Sequence, residues 1–228
     1  MTSPFRFALT AALAGALGAA NAADHLITFE EPGLVAMGNS PGSAVPVGSQ
    51  LHNQFLNSFG VSFSSGAGYV AVVDHGGNTP SVPNIIGGTA SGGTLSYGTP
   101  IVITFFDPAN TSAAGFTDFV QIRGDFIAIA GTATMNAYDA FGTLLGSVTD
   151  TDSALGVNLT LSFAGIHSVM LTQTSATIGL DNFAFDNVTG AAPAVPGVPA
   201  IPEPETYALM LAGLSALGWV ARRRQRRL

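Results

Sequence analysis

Short runs of Val, Ile, Thr and Phe recur along the chain, and Gly, Pro, Asn and Asp separate them. This pattern is typical of β-strands joined by turns. The alternation is clearest in residues 157–163, where Val157, Leu159, Leu161 and Phe163 fall on one face of a strand. Strands are predicted at 25–31, 60–65, 68–74, 100–107, 114–124, 126–139, 143–150, 157–164, 167–175 and 177–188.

Within residues 23–189 no long window shows helical spacing of apolar residues, and residues 50–60 could form one short turn of helix. Residues 76–93 are predicted to be a loop, because Pro80 and Pro83 exclude a central strand there. About ten short strands predict an all-β fold over residues 23–189, a two-sheet β-sandwich of the jelly-roll type.

The N-terminus has the pattern of a secretory signal peptide over residues 1–22. Arg6 supplies the positive charge, and an uncharged apolar run follows it. Small residues at 20 and 22 predict cleavage between Ala22 and Ala23. We therefore expect export through the Sec translocon and processing by signal peptidase.

The C-terminus combines a Pro/Ala/Gly linker over 190–201, an uncharged segment predicted as a helix over 206–221, and an Arg-rich tail over 222–228. The fifteen residues 207–221 rise about 22 Å as a helix, which is less than the hydrocarbon core of roughly 30 Å. The predicted transmembrane helix is therefore short, and the positive-inside rule keeps its basic end cytoplasmic. The predicted cytoplasmic retention cluster is Arg222, Arg223, Arg224, Arg226 and Arg227.

Pro202, Glu203 and Pro204, followed by this apolar helix and arginine cluster, resemble the PEP-CTERM sorting signal of exported Gram-negative proteins. The resemblance covers residues 202–228. It implies recognition and removal of the tail by exosortase, a membrane-embedded enzyme. It also implies transient retention in the inner membrane, followed by a location at the cell surface or outside the cell, in bacteria that make extracellular polysaccharide.

Charge narrows the range of partners for residues 23–189. Residues 23–189 contain twelve acidic residues and one basic residue, Arg123, which gives them a net charge of −11. Such a domain repels nucleic acids and anionic lipids and favours cations and neutral molecules. Arg123 is predicted to pair with Asp118 or Asp125. The chain has no cysteine, so export brings no disulfide.

The strongest candidate site joins the first and last predicted strands. The segments "ITFEE" and "GLDNFAFDNV" resemble the strand ends of carbohydrate-binding-module-like sandwiches, and that resemblance implies a structural calcium held by Glu30 and Asp181. Glu31 and Asn182 are weaker candidates. Calcium takes six to eight oxygen ligands, which suits paired carboxylates. The alternative is that these acids are ordinary solvated residues at strand ends.

We expect a non-enzymatic cell-surface or extracellular-matrix protein whose sandwich binds carbohydrate, such as extracellular polysaccharide in a biofilm. Tyr69, Tyr97 and Tyr138 are candidates for stacking on sugar rings, with core packing as the alternative. A second hypothesis is a secreted polysaccharide hydrolase that uses a pair of carboxylates. A third is a structural matrix protein that self-associates.

Overall fold

The structure is a computed structural model, and it describes residues 23–76, 80–126, 131–151, 156–174 and 178–191. The predicted signal peptide and the whole sorting segment lie outside these residues, as does most of the linker. In the part of the chain that the structure describes, no helix has the length and apolarity to cross a membrane.

Strands make up most of the described residues. The helices are a 3-10 turn, η1 (Val47–Ser49), and α1 (Leu56–Phe59), which lies inside the predicted helical turn. The strands are β1 (His25–Ile27), β2 (Met37–Gly38), β3 (Gln50–Leu51), β4 (Val61–Ser64), β5 (Val70–Asp74), β6 (Asn84–Gly87), β7 (Ile101–Asp107), β8 (Asn110–Ala114), β9 (Thr117–Phe126), β10 (Ala133–Tyr138), β11 (Leu144–Asp150), β12 (Val157–Ile166), β13 (Ser168–Gln173) and β14 (Ile178–Phe185).

The strands form two sheets, which confirms the predicted all-β sandwich. Within the described residues the larger sheet has eight strands in the order β12-β9-β14-β6-β5-β2, with β1 beside β14 and β3 beside β5. The smaller has six in the order β11-β10-β13-β7-β4, with β8 beside β7. The expected proximity of the first and last strands is confirmed, because His25 to Ile27 pair antiparallel with Phe183 to Phe185.

The main core lies between the sheets and is rich in phenylalanine. Phe63 and Phe105 come from the smaller sheet and Phe183 and Phe185 from the larger, and all four are fully buried. The Phe183 ring lies 5.2 Å from that of Phe185 and 6.2 Å from that of Phe105, measured between centroids. Such ring contacts add to the free energy of burying apolar area, which dominates the stability of a sandwich.

A second core covers part of the outer face of the larger sheet. Ala71 and Val73 of β5 and Ile85 of β6 are fully buried there. Residues Val45, Leu95 and Tyr97, from the segments around η1 and after β6, pack over them. Strands β5 and β6 are therefore buried on both faces at this position.

The predicted loop over 76–93 is wrong at β6, which is a central strand between β14 and β5. Its residues Asn84 to Gly87 are all buried, so no alternation marks the strand in the sequence. Pro83 lies just before the strand, and its carbonyl still accepts a hydrogen bond from His75 N at 2.8 Å. Proline removes only the donor at its own position, so a strand can begin directly after it.

Two strands also depart from the predicted pattern. The predicted strand 25–31 ends at Ile27, because Phe29 has a φ of +63° and the chain turns. Phe163 does not share the buried face of Val157, Leu159 and Leu161. The pairing of β12 with β9 shifts register after Ser162, and Phe163 turns outward with 37% of its surface exposed.

Candidate functional site

A buried polar cluster lies where the turn after β1, the segment before β6 and the strand β14 meet. Its side chains are Glu30 and Glu31 from the turn, Ser81 and Asn84 from the segment that leads into β6, and Asp181 and Asn182 from β14. Glu30 and Glu31 were predicted inside a strand; they follow it instead. The turn aims Glu30 at β6, and Glu31 accepts a hydrogen bond from Thr28 N, before the turn.

Glu30 is held by the first residue of β6. Its Oε1 accepts a hydrogen bond from Asn84 N at 2.6 Å, and its Oε2 accepts one from Asn84 Nδ2 at 2.9 Å. The same Nδ2 donates to the backbone carbonyl of Phe29 at 2.9 Å. Asn84 thus fixes the turn after β1, and it satisfies both carboxylate oxygens of Glu30.

Asp181 is fully buried and is held by Ser81. Its Oδ2 accepts from Ser81 N at 2.6 Å, and its Oδ1 lies 2.8 Å from Ser81 Oγ, which is also 2.9 Å from the carbonyl of Thr28. One hydroxyl proton serves only one of these acceptors at a time. Burial raises the pKa of Asp181, the negative charge of Glu30 raises it further, and the hydrogen bonds from Ser81 oppose the shift.

Two buried oxygens of the cluster have no hydrogen-bond partner: Oε2 of Glu31 and Oδ1 of Asn182. The other Glu31 oxygen accepts from Thr28 N at 2.8 Å, and Asn182 N donates to Asp181 Oδ1 at 2.6 Å. Asn182 has a φ of +47°, which is strained for a residue with a side chain, and the β9 pairing shifts register there. Buried polar atoms without partners are rare in folded proteins, so this cluster has unused capacity for a donor or a cation.

The available donors are oxygens alone, which is the ligand set of a hard cation such as calcium. Among the described residues, however, no group of three or more His, Cys, Asp or Glu side chains is placed to hold a metal. A calcium ion would therefore need amide or backbone carbonyl oxygens as well. The cluster fits a hydrolase poorly, because the fully buried Asp181 has no surface to offer a substrate.

A second feature is the part of the outer face of the larger sheet that no described segment covers, which we call the open face. It consists of the outward residues of β1, β14, β9 and β12. Strand registers align Leu26, Ala184, Gln121 and Thr160 in one row across these four strands. The outward residues beside this row are Phe119, Arg123, Asn158 and Ser162.

Hydrogen bonds order the polar side chains of the open face. Gln121 Nε2 lies 3.0 Å from Asn158 Oδ1 and 3.1 Å from Thr160 Oγ1. Arg123 is exposed, and no described ion pair joins it to Asp118. The predicted pairing with Asp125 stays a prediction, because the side chain of Asp125 lies outside the described part of the chain. The open face thus combines apolar surface with neutral amides, hydroxyls and one cation. The alternation in 157–163 was the sequence signal that could have located it.

The three candidate tyrosines lie elsewhere. Tyr97 is 2% exposed and belongs to the second core, where its hydroxyl donates to Asn39 Oδ1 at 2.9 Å. Burial raises its pKa. Tyr69 is half-buried against the same core, and Tyr138 is half-buried in β10. Tyr97 is therefore a core residue, and the prediction that it stacks on sugar rings is wrong.

Comparison with known proteins identifies the C-terminal segment. Residues 200–227 match the PEP-CTERM protein-sorting motif. The predicted resemblance is confirmed. The motif marks the chain as an exported surface protein and a substrate of exosortase. No curated protein matches the chain in sequence.

The fold is similar to solved β-sandwiches at low identity. A DUF4465 family protein from Bacteroides caccae is 11% identical over 72% of this chain and 99% of its own, with a TM-score of 0.39. A family 6 carbohydrate-binding module is 18% identical over 57% and 95%, with a TM-score of 0.31. TmCBM61, solved with β-1,4-galactotriose, is 11% identical over 64% and 99%, with a TM-score of 0.33. At these TM-scores the similarities carry no argument about ligands.

Proposed function

We propose that this exported protein binds neutral polysaccharide outside the cell through the open face and has no catalytic activity of its own. The exposed Leu26 and Thr160, with the partly exposed Gln121 in the same row, carry the proposal, and Ala184 in that row is only 6% exposed. Sugars present C–H surfaces and many hydroxyl groups, and their binding sites combine apolar contact with a few placed hydrogen-bonding groups. The net charge of −11 over residues 23–189 favours a neutral or cationic polymer over an anionic one.

Affinity electrophoresis of the exported protein through gels containing neutral polysaccharides tests this proposal. We expect retardation that Gln121→Ala reduces, because that amide bridges Asn158 and Thr160. Ser112→Ala is a matched control, since Ser112 is exposed on β8 in the other sheet. Equal retardation of both variants would exclude the open face. Release of reducing ends from the polysaccharide would favour the hydrolase alternative.

The same proposal includes a structural calcium ion in the buried polar cluster. The unpartnered oxygens of Glu31 and Asn182 support it, and Asp181 together with the Thr28 carbonyl offers further oxygens nearby. The predicted pair, Glu30 and Asp181, differs in that both side chains already accept hydrogen bonds from Asn84 and Ser81. We therefore assign the larger share of the coordination to Glu31 and Asn182. Bound calcium would neutralise the cluster and fix the turn after β1 against β14.

Thermal unfolding with chelator and with added calcium tests the ion. We expect calcium to raise the melting temperature, because a ligand that binds only the folded state stabilises it. Glu31→Gln should abolish this increase. Asp139→Asn, at an exposed carboxylate in the turn between β10 and β11, should retain it. A melting temperature that is insensitive to chelator would rule out the calcium ion and leave the polysaccharide proposal standing.

Processing of the tail follows from the sorting motif. We propose that exosortase cleaves near Pro202, Glu203 and Pro204 and that the arginine cluster stays with the membrane-held fragment. Cell fractionation followed by mass spectrometry of the mature C-terminus would report the cleavage site and the destination together. A mature surface form that still carries residues 206–228 would contradict this part of the proposal.

A further inference from the structure

Hydrogen bonds join the two ends of the sandwich domain. Asn187, which follows β14, donates from its backbone N to Asp24 Oδ2 at 3.2 Å and from its Nδ2 to the same oxygen at 2.5 Å. An ionised carboxylate only accepts hydrogen bonds, so Nδ2 faces Asp24 and leaves Asn187 Oδ1 to accept one from His25 Nε2 at 2.9 Å. The second and third residues after the predicted cleavage point between Ala22 and Ala23 therefore hold the end of the domain.

Three carboxylates gather at this junction, and we call Asp24, Asp118 and Asp186 the terminal cluster. The backbone N–H of Asp24 donates to the carboxylate of Asp186. Asp186 is also tied to the start of β9, because its N donates to Phe119 O at 3.3 Å and its carbonyl accepts from Thr117 Oγ1 at 3.1 Å. Burial raises the pKa of Asp186, and the negative charges of Asp24 and Asp118 raise it further. Asp186 is therefore repelled by both of its acidic neighbours.

Little positive charge offsets this repulsion. Arg123 is the only Lys or Arg among residues 23–189, and it lies five residues along β9 from Asp118, a span of about 17 Å. Exposed charges at that separation are largely screened, since the Debye length is about 8 Å at physiological ionic strength. The charge of His25 also lowers the pKa of Asp186, but its effect is the smallest of those that act on this carboxyl. No lysine or arginine among the described residues is therefore close enough to neutralise the terminal cluster.

Removal of the signal peptide would create a cation at this place. Hydrolysis of the peptide bond between Ala22 and Ala23 leaves a carboxylate on Ala22 and an α-amine on Ala23. An α-amine has an ordinary pKa of about 7.7–8.0, so it takes up a proton at neutral pH. The next nitrogen along the chain, that of Asp24, donates to the Asp186 carboxylate, and one residue spans at most about 3.6 Å. The new ammonium group therefore lies within about 7 Å of that carboxylate.

We propose that the α-ammonium group of Ala23, released by signal-peptide cleavage, is the cation that neutralises the terminal cluster, so that cleavage itself stabilises the junction between the two chain ends. An uncleaved chain has an uncharged amide at this position and keeps the repulsion. Ala23 is half-buried, so its attraction to the carboxylates is screened less than that of a fully exposed pair. The inference rests on the predicted cleavage site and is independent of polysaccharide binding.

Chemical modification of a single group tests the inference, because the chain contains no lysine and the α-amine is the only primary amine of the mature protein. Mass spectrometry of the purified exported protein first identifies its N-terminal residue. Acetylation with N-hydroxysuccinimidyl acetate removes the charge of the α-amine, whereas reductive methylation with formaldehyde adds bulk and keeps the charge. At about pH 7 we expect acetylation to lower the melting temperature by roughly 2–4 °C, and methylation to leave it within about 1 °C of the untreated value.

Two aspartate variants identify the partner of the ammonium group. Asp186→Asn removes one carboxylate of the terminal cluster, so acetylation of this variant should lower its melting temperature by about half as much as in the wild-type protein, or less. Asp74→Asn, at an exposed position on β5, is the matched control and should retain the full decrease. Equal melting temperatures of acetylated and untreated wild-type protein, an undiminished decrease in Asp186→Asn, or a mature N-terminus other than Ala23 would overturn the inference.

Discussion

The outer face of the larger sheet is divided into two halves that differ in cover. On β5 and β6 the second core buries Ala71, Val73 and Ile85 under the segments that carry Val45 and Leu95. On β12 the outward residues Asn158, Thr160 and Ser162 are polar and exposed, and on β9 the outward Phe119 and Gln121 are partly exposed. The buried polar cluster around Asp181 lies between the halves, because β14 separates β6 from β9. One sheet therefore combines a structural half with a half that is available for binding.

The largest expected difference between the halves is in stability. Ile85→Ala removes a fully buried side chain that packs against Gly179, and should lower the free energy of unfolding by about 2–5 kcal/mol. Thr160→Ala in the open half should change it by less than about 0.5 kcal/mol. Urea unfolding of the two variants measures both. A small effect of Ile85→Ala would mean that the second core contributes little to folding.

A smaller effect is expected where the two halves meet. The pKa of Asp181 is raised in the folded protein, so the native state holds its proton more tightly than the unfolded chain does. As the pH rises from the ordinary aspartate pKa of about 3.9 through the raised value, the metal-free protein should lose stability. Burial also raises the pKa of Asp186, which acts in the same direction.

Urea unfolding of metal-free protein as a function of pH measures this dependence. Asp181→Asn should flatten the curve, and Asp74→Asn, at an exposed position on β5, should leave it unchanged. The exposed carboxylate of Asp139 has a lowered pKa, because Thr143 N donates to it. Because this pKa is lowered, the ionisation of Asp139 makes the stability increase with pH, and it does so below the ordinary aspartate pKa. Stability that increases as the pH rises above the ordinary aspartate pKa would contradict the raised pKa of Asp181.

The smallest expected effect on stability is in the open half. Gln121→Ala should leave the free energy of unfolding within about 0.5 kcal/mol of the wild-type value. The same variant should weaken polysaccharide binding by roughly fivefold, the equivalent of about 1 kcal/mol for one hydrogen-bonding group. Comparison of urea unfolding with affinity electrophoresis separates the two effects. A large loss of stability would mean that Gln121 is structural.

The difference between the halves also explains what the sequence could predict. Residues 157–161 alternate because one side of β12 faces the core and the other faces solvent, so the strand and its faces could be predicted. Strand β6 is buried on both sides, so alternation disappears, and the neighbouring prolines favoured a loop. The cover over β6 comes from segments distant in sequence, and local patterns carry no information about it.

The candidate site was predictable to a similar extent. Pairing of the first and last strands brought Glu30 near Asp181, as expected. The contributions of Ser81 and Asn84 were missed, because both lie in the segment predicted to be a loop. The turn at Phe29 redirects the glutamates, and its positive φ has no signature in the sequence. Geometry after the end of a strand depends on tertiary contacts that residue patterns do not encode.

The most direct test of the division between the halves is a map of backbone amide chemical shifts in the exported protein as neutral extracellular polysaccharide is added. The account predicts that the shift changes are confined to β9, β12 and the adjoining residues of β1 and β14, including Gln121 and Asn158. Residues 71–73 and 84–87 of the covered half should be unchanged. Changes centred on β5 and β6, or binding that leaves the amides of β9 and β12 unaffected, would contradict it.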